Sequence, residues 1–158
     1  MCLISVDGVD CQIQEPWPFD EGIFSKKFNG PGYKYEVGVC IMTGDIVWIN
    51  GPFKAGRNDK TIFEKDGLKD MLADGEGIEV DAGYQGDDSL KNPSISQSRE
   101  DRKQKSKVRA RHEIVNSYLK KFGVLDNVFR HKSADKHQMC FEAVAVITQL
   151  RFEMVRGL

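Results

Sequence analysis

The sequence predicts an α/β domain with a mixed sheet flanked by helices, and three observations carry that reading. Short apolar runs of strand character fill the first half of the chain. One amphipathic helical stretch separates the fourth of these runs from the fifth. Two long helical patterns then close the sequence. A chain of 158 residues, 40% hydrophobic and 30% charged, fits one globular domain over residues 1–158 with a substantial core.

The elements follow in order. "CLISVDG" reads as a strand ending at Asp7-Gly8, and "CQIQEP" as a second strand stopped by Pro16. "WPFDEGIFSKKFNGPGYK" mixes aromatics, Gly and Pro and reads as an irregular insertion or hairpin tip. "YEVGVCIM" and "DIVWING" flank a Thr43-Gly44 turn and form an antiparallel hairpin, with "PFKAGRND" as a loop after it. "TIFEKDGLKDML" is helical in period, with Ile62, Phe63, Leu68, Met71 and Leu72 on one broad face. "GIEVD" is a further strand, and about 87–98 is an internal loop. A long helix is expected from about 99 to 122. "KHQMCFEAVAVITQLRFEMV" is expected to form a last, mostly buried helix.

The β-β-β-β-α-β-α-α order has a consequence for placement. The strand after a right-handed crossover lies parallel to an earlier one. If "GIEVD" lies beside "LISVD", then Asp7 and Asp81 both emerge at the carboxyl ends of adjacent parallel strands, where ligand sites of α/β sheets gather. Two neighbouring carboxylates repel unless they are solvated or a cation neutralises them. Hard divalent ions take oxygen ligands of this kind. The plain alternative is that each Asp is strand-end turn chemistry.

A third acid bears on that choice. In "VRARHEIVNSYLKKF", Val108, Val115, Tyr118, Leu119 and Phe122 share one helical face, and Arg109, Glu113, Asn116 and Lys120 share the opposite one. Glu113 is the only acid in this stretch. It reads either as a metal-binding carboxylate framed by phosphate-contacting Arg109 and Lys120, or as ordinary surface pairing with Arg109. Arg111 falls within the apolar arc, where a long side chain can snorkel. Charge is also segregated: residues 1–96 carry 9 Lys/Arg against 17 Asp/Glu, and residues 97–137 carry 12 against 5. The basic block "SREDRKQKSKVRARH", which includes Lys107, is either a solvated helix face or a footprint for a polyanion.

Four blocks, "VDGVDCQIQEP", "GPFKAGRNDKTIF", "EVDAGYQGDD" and "RARHEIVNSYLKKF", together resemble in order the DDE superfamily endonuclease domain. The likeness is greatest to Harbinger/PIF-like transposases and the related insertion-sequence transposases, and it covers nearly the whole chain. The family's Asp-Gly after the first strand matches Asp7-Gly8. Its Gly-x-x-Asp loop matches Gly56 and Asp59. Its second-acid block matches Asp81, Gly83, Tyr84 and Gly86, and its Arg-x-x-x-Glu with a following Leu-Lys matches Arg109, Glu113, Leu119 and Lys120.

The resemblance implies an RNase H-like fold with catalytic, metal-binding Asp7, Asp81 and Glu113. It implies two Mg²⁺ or Mn²⁺ ions, which in such sites lie about 3.5–4 Å apart, with Asp7 as the bridging ligand. DNA is the implied substrate, with Arg109, Lys120 and Lys107 on its phosphates and Asp59, Gly83 and Tyr84 in support. The alternative function is an inactive or domesticated transposase remnant that binds DNA or protein.

Two departures stand out. Full-length relatives carry a helical DNA-binding region before the first catalytic strand, where this chain starts. A separate Myb-like DNA-binding protein is one candidate source of DNA recognition, and self-association into a homo-oligomer is another expectation. Val9-Asp10 replaces the family's Thr-His and puts a further acid near the expected site.

Other signals exclude more than they assign. There is no basic, apolar leader and no run of the roughly 20 apolar residues that a membrane span needs. Four scattered cysteines without a C-x-x-C pair point to a reducing compartment. A basic patch over 102–111 suits the nucleus in a eukaryote; otherwise the cytoplasm is expected. His131, His137 and Cys140 match no standard zinc spacing. Trp17, Trp48, Phe53 and Phe63 are expected to serve packing rather than base stacking. No nucleotide-binding glycine loop is present.

Overall fold

The computed structural model describes residues 2–66, 68–71, 77–80, 90–91 and 99–156. Its strands are β1 (Cys2–Gln12), β2 (Phe24–Ser25), β3 (Gly30–Cys40), β4 (Ile46–Lys54), β5 (Gly77–Val80) and β6 (Leu90–Lys91). Its helices are α1 (Asp59–Lys65), α2 (Arg99–Leu119), α3 (Gly123–Asp126) and α4 (Ala134–Arg156), with short 3₁₀ turns at Glu21–Ile23 and Lys69–Met71.

The sheet is mixed. β3 pairs antiparallel with β1 and β4, while β5 lies parallel to β1 and β6 parallel to β5. β2 pairs with the start of β3 and closes the expected hairpin tip. The parallel placement of "GIEV" beside "LISV" is therefore observed, with Val6 opposite Val80.

Three expectations change. "CLISVDG" and "CQIQ" are one strand of 11 residues, so Asp7 lies in its middle and not at its end. The strand runs on because its second half keeps a full antiparallel register with β3, from Asp7 opposite Val37 to Gln12 opposite Gly32. β4 continues through Pro52 to Lys54, and a two-residue strand, β6, lies within the stretch expected to be loop.

Each face of the sheet buries a separate cluster. On one face, Val9 and Cys11 of β1 and Tyr35, Val37 and Val39 of β3 pack under Val115 and Leu119 of α2 and Phe141, Val144 and Ala145 of α4. On the other, Val6, Ile78 and Val80 pack against Phe63 and Leu68. The central strand β3 is covered on both sides, which explains its near-continuous burial. Tyr35 anchors α4: its ring stacks on Phe141 at 3.8 Å between centroids, and its hydroxyl lies 2.7 Å from His137 Nδ1. His137 is thus a core residue, and burial pushes its pKa down to about 4.

Two further corrections concern apolar side chains. Phe63 is buried and Trp48 packs partly against its cluster, but Trp17 is 89% exposed. α4 is not mostly buried. It buries His137, Phe141, Val144, Ala145 and Thr148, while Met139, Val146, Ile147, Leu150 and Met154 stay exposed.

Candidate active site

Among the described residues, β5 pairs with β1 as far as Val80 opposite Val6, and Asp7 is the next residue of β1. Strand alternation turns its side chain to the α2 face, while Gly8 and Asp10 face the α1 side. Asp7 Oδ1 accepts from its neighbour Gly8 N at 2.8 Å, and Oδ2 accepts from Asn116 Nδ2 on α2 at 3.3 Å.

α2 presents two polar residues one turn apart to this position. His112 is buried against Asp7 and the Ser5 backbone. Burial lowers its pKa, and the Asp7 carboxylate opposes that shift. The Oδ1 of Asn116 is buried and has no hydrogen-bond partner, although its Nδ2 reaches Asp7. Sequence reasoning placed Asn116 on the polar face without a role and overlooked His112. Their signal was the spacing: a His and an Asn at i and i+4, interleaved with the apolar Val115 and Leu119.

The other predicted residues are placed as follows. Glu113 sits on α2 one turn from Asn116, with its side chain 71% exposed and Arg109 Nε at 3.6 Å. Lys107 and Arg109 are exposed. Asp81, Gly83 and Tyr84 lie outside the described residues; Val80, immediately before Asp81, ends β5 opposite Val6.

Lys120 points inward. Its ammonium donates to the Asp10 carbonyl at 2.7 Å and the Leu125 carbonyl at 2.9 Å, and it lies 3.7 Å from Cys11 Sγ. An ammonium has three donors, so contact with a phosphate would require Lys120 to exchange one of these partners. Burial raises the Cys11 thiol to about 11 even with Lys120 beside it.

Asp59 and Asp10 are engaged on the far face of β1. Asp59 is the first residue of α1, after the Asn58 cap whose side chain accepts from Lys60 N. Its carboxylate meets Lys34 Nζ at 2.8 Å and sits directly over Gly8. A Cβ at position 8 would lie 3.0 Å from Asp59 Oδ1, so glycine is what lets α1 approach the strand. Asp10 accepts from the Ser25 hydroxyl and lies 3.8 Å from Lys27 Nζ, so it is turned away from Asp7.

The groups around Asp7 are its own carboxylate, the Asn116 amide, whose nitrogen faces it, and the buried His112 ring, whose two nitrogens lack a hydrogen-bond partner among the described residues. The carboxylate is a ligand type that hard divalent cations take, and an imidazole beside it suits transition metals as well. Among the described residues, no group of three or more His, Cys, Asp or Glu gathers as a metal site.

A family model described as DDE superfamily endonuclease matches residues 6–149, from the strand that carries Asp7 to the middle of α4. The chain belongs to the DDE superfamily endonucleases. No curated protein and no solved structure matches it. Membership in this endonuclease family points to a transposase-type nuclease domain, a class that acts on DNA through divalent metals. Among the described residues, no helix is long and apolar enough to cross a membrane.

Proposed function

We propose that this chain is the catalytic domain of a Harbinger/PIF-like transposase with an RNase H-like fold, cutting or joining DNA phosphodiesters with divalent metal ions. The observation that carries the reading is Asp7. It sits next to Val6, which pairs with Val80 of β5, under the helix that bears Glu113, in a chain whose family is an endonuclease family.

Asp7, Asp81 and Glu113 would hold Mg²⁺ or Mn²⁺. When bound, a metal pair supplies a nucleophile at neutral pH and stabilises the leaving oxygen. The protein's own residues fix the geometry. Asn116 and the Gly8 amide orient the Asp7 carboxylate. Asp81 is the residue after Val80, which pairs with Val6. Exposed Arg109 and Lys107 supply charge for phosphates. The deciding experiment is Mg²⁺- or Mn²⁺-dependent nicking of supercoiled plasmid by wild type, Asp7→Asn and Asp81→Asn. Nicking by wild type that both variants lose is expected. Equal nicking by all three would overturn the assignment.

One observation favours a second reading, a non-catalytic DNA-binding remnant. Glu113 pairs with Arg109 at the surface, and the ammonium of Lys120 is committed inward. That reading predicts DNA binding that needs no metal, falls steeply with salt, and survives combined loss of Asp7, Asp81 and Glu113.

A further inference from the structure

α3, the segment after it and the first turns of α4 enclose a cavity of about 570 Å³. Its walls are apolar, formed by Val124 of α3, by Val128 and by Met139 and Cys140 of α4. Val128 is 40% and Met139 69% exposed, so water meets apolar surface at the opening. Phe129 is buried and closes the base. Its ring meets His137 edge to face at 4.7 Å between centroids. Its N–H donates to the Gln12 carbonyl, and its carbonyl accepts from the Gln14 N–H, both at 2.9 Å. The base is therefore fixed to the sheet, and little ordering is left for a ligand to impose.

Cations ring the mouth. Arg130, His131 and Lys136 line it and are exposed. Among the described residues, Arg130 and Lys136 have no ion-pair partner. Other surface cations do: Lys54 pairs with Asp20, Arg57 with Asp66 and Arg156 with Asp45. The acids nearest in sequence, Asp126 and Asp135, do not line the cavity. An apolar cleft with cations at its rim is complementary to an apolar side chain flanked by carboxylates. A DNA backbone matches only half of it, because phosphates would meet the cations and leave Val128 and Met139 without a partner.

We infer that this cavity docks a segment of a partner protein that carries an apolar side chain between Asp or Glu residues. The inference does not rest on the nuclease reading. Phe129 bridges to β1 at Ile13, six residues beyond Asp7 and about 20 Å of extended chain from it.

The test is a selection of displayed random peptides on the immobilised full chain, run in parallel on Met139→Glu and Lys136→Glu. Fluorescence anisotropy then measures one enriched peptide in labelled form. Both substituted residues are exposed on α4, so each variant should keep the circular dichroism of wild type. Wild type is expected to enrich peptides with Leu, Ile, Met or Phe flanked by Asp or Glu. The labelled peptide should bind wild type at least tenfold more tightly than either variant, and replacing its apolar residue by Ala should weaken it as much. No enriched sequence, enrichment without acidic residues, or a peptide that Met139→Glu holds as well as wild type does overturns the proposal. A cavity that takes a duplex oligonucleotide as tightly as the peptide, with no effect of Met139→Glu on either, is a polyanion surface and overturns it too.

Discussion

Asn116 donates to the carboxylate of Asp7, next to the Val6–Val80 pair of β1 and β5, and its own amide oxygen is left buried without a partner. The helix that carries Glu113 thus meets the first aspartate through Asn116. Removing this contact as Asn116→Ala should cost about 1 kcal/mol of stability. Asn116→Asp should cost more in chelator, because it sets a second carboxylate against Asp7. Adding Mg²⁺ should then raise the melting temperature of Asn116→Asp more than that of wild type. Equal shifts in the two proteins would place no cation near Asp7.

Lys120 is expected to behave as a structural cation. Its ammonium ties the carbonyls of Asp10 and Leu125, so it joins β1, the end of α2 and α3. Lys120→Met keeps the stem and orphans both carbonyls, and it should destabilise the fold by roughly 2–3 kcal/mol in urea denaturation. Lys107→Ala and Arg109→Ala should leave stability within about 0.5 kcal/mol and instead lower the salt dependence of DNA binding, each by about one charge. A Lys120 variant with wild-type stability and a reduced salt slope would restore the phosphate role.

The contrast between Lys120 and Arg109 shows where the sequence was legible. Period and order were enough to place β5 beside β1, the β3–β4 hairpin and the two long helices, because those follow from apolar spacing and the handedness of crossovers. The Asp7-Gly8 pair looked like a strand end, since Asp and Gly favour turns. Pairing with β3 overrode that local preference. Gly8 has a tertiary reason instead, the close approach of Asp59. Helical spacing put Arg109, Glu113, Asn116 and Lys120 on one face, but which of them meets water depends on what lies past the helix end. Leu125 and the Asp10 carbonyl take Lys120, and no periodicity encodes that. His112 went unread because a histidine in an apolar arc reads as core, and only its i, i+4 spacing to Asn116 marked it.

The space over Gly8 gives a third expectation. Gly8→Ala would bring a methyl group within 3.0 Å of Asp59 Oδ1, and Lys34 Nζ holds that carboxylate at 2.8 Å. The substitution should cost about 1–2 kcal/mol, in the usual range for overpacking. In an Asp59→Ala background most of that cost should vanish, because the obstructing atoms are gone. A double-mutant cycle on urea midpoints measures the coupling. Additive effects would mean that Gly8 is required for some other reason.

Glu36 makes the fold sensitive to pH. Its side chain is buried on β3, with Oε1 accepting from Trp48 Nε1 at 2.9 Å and Oε2 without a partner. Burial raises its pKa to about 7, Trp48 opposes the shift, and Asp59 and Asp66 add to it. The folded state therefore holds a proton that the unfolded chain, near the ordinary 4.5, gives up earlier. The contribution of Glu36 is fully present below about pH 4.5, declines as pH rises, and is lost above about 7. Glu36→Gln keeps an acceptor for Trp48 and removes the titration. Its stability advantage over wild type should grow between pH 4.5 and 7 to the order of 3 kcal/mol and then level off. A difference in melting temperature that stays constant across that range would show that Glu36 ionises in the folded protein at no cost.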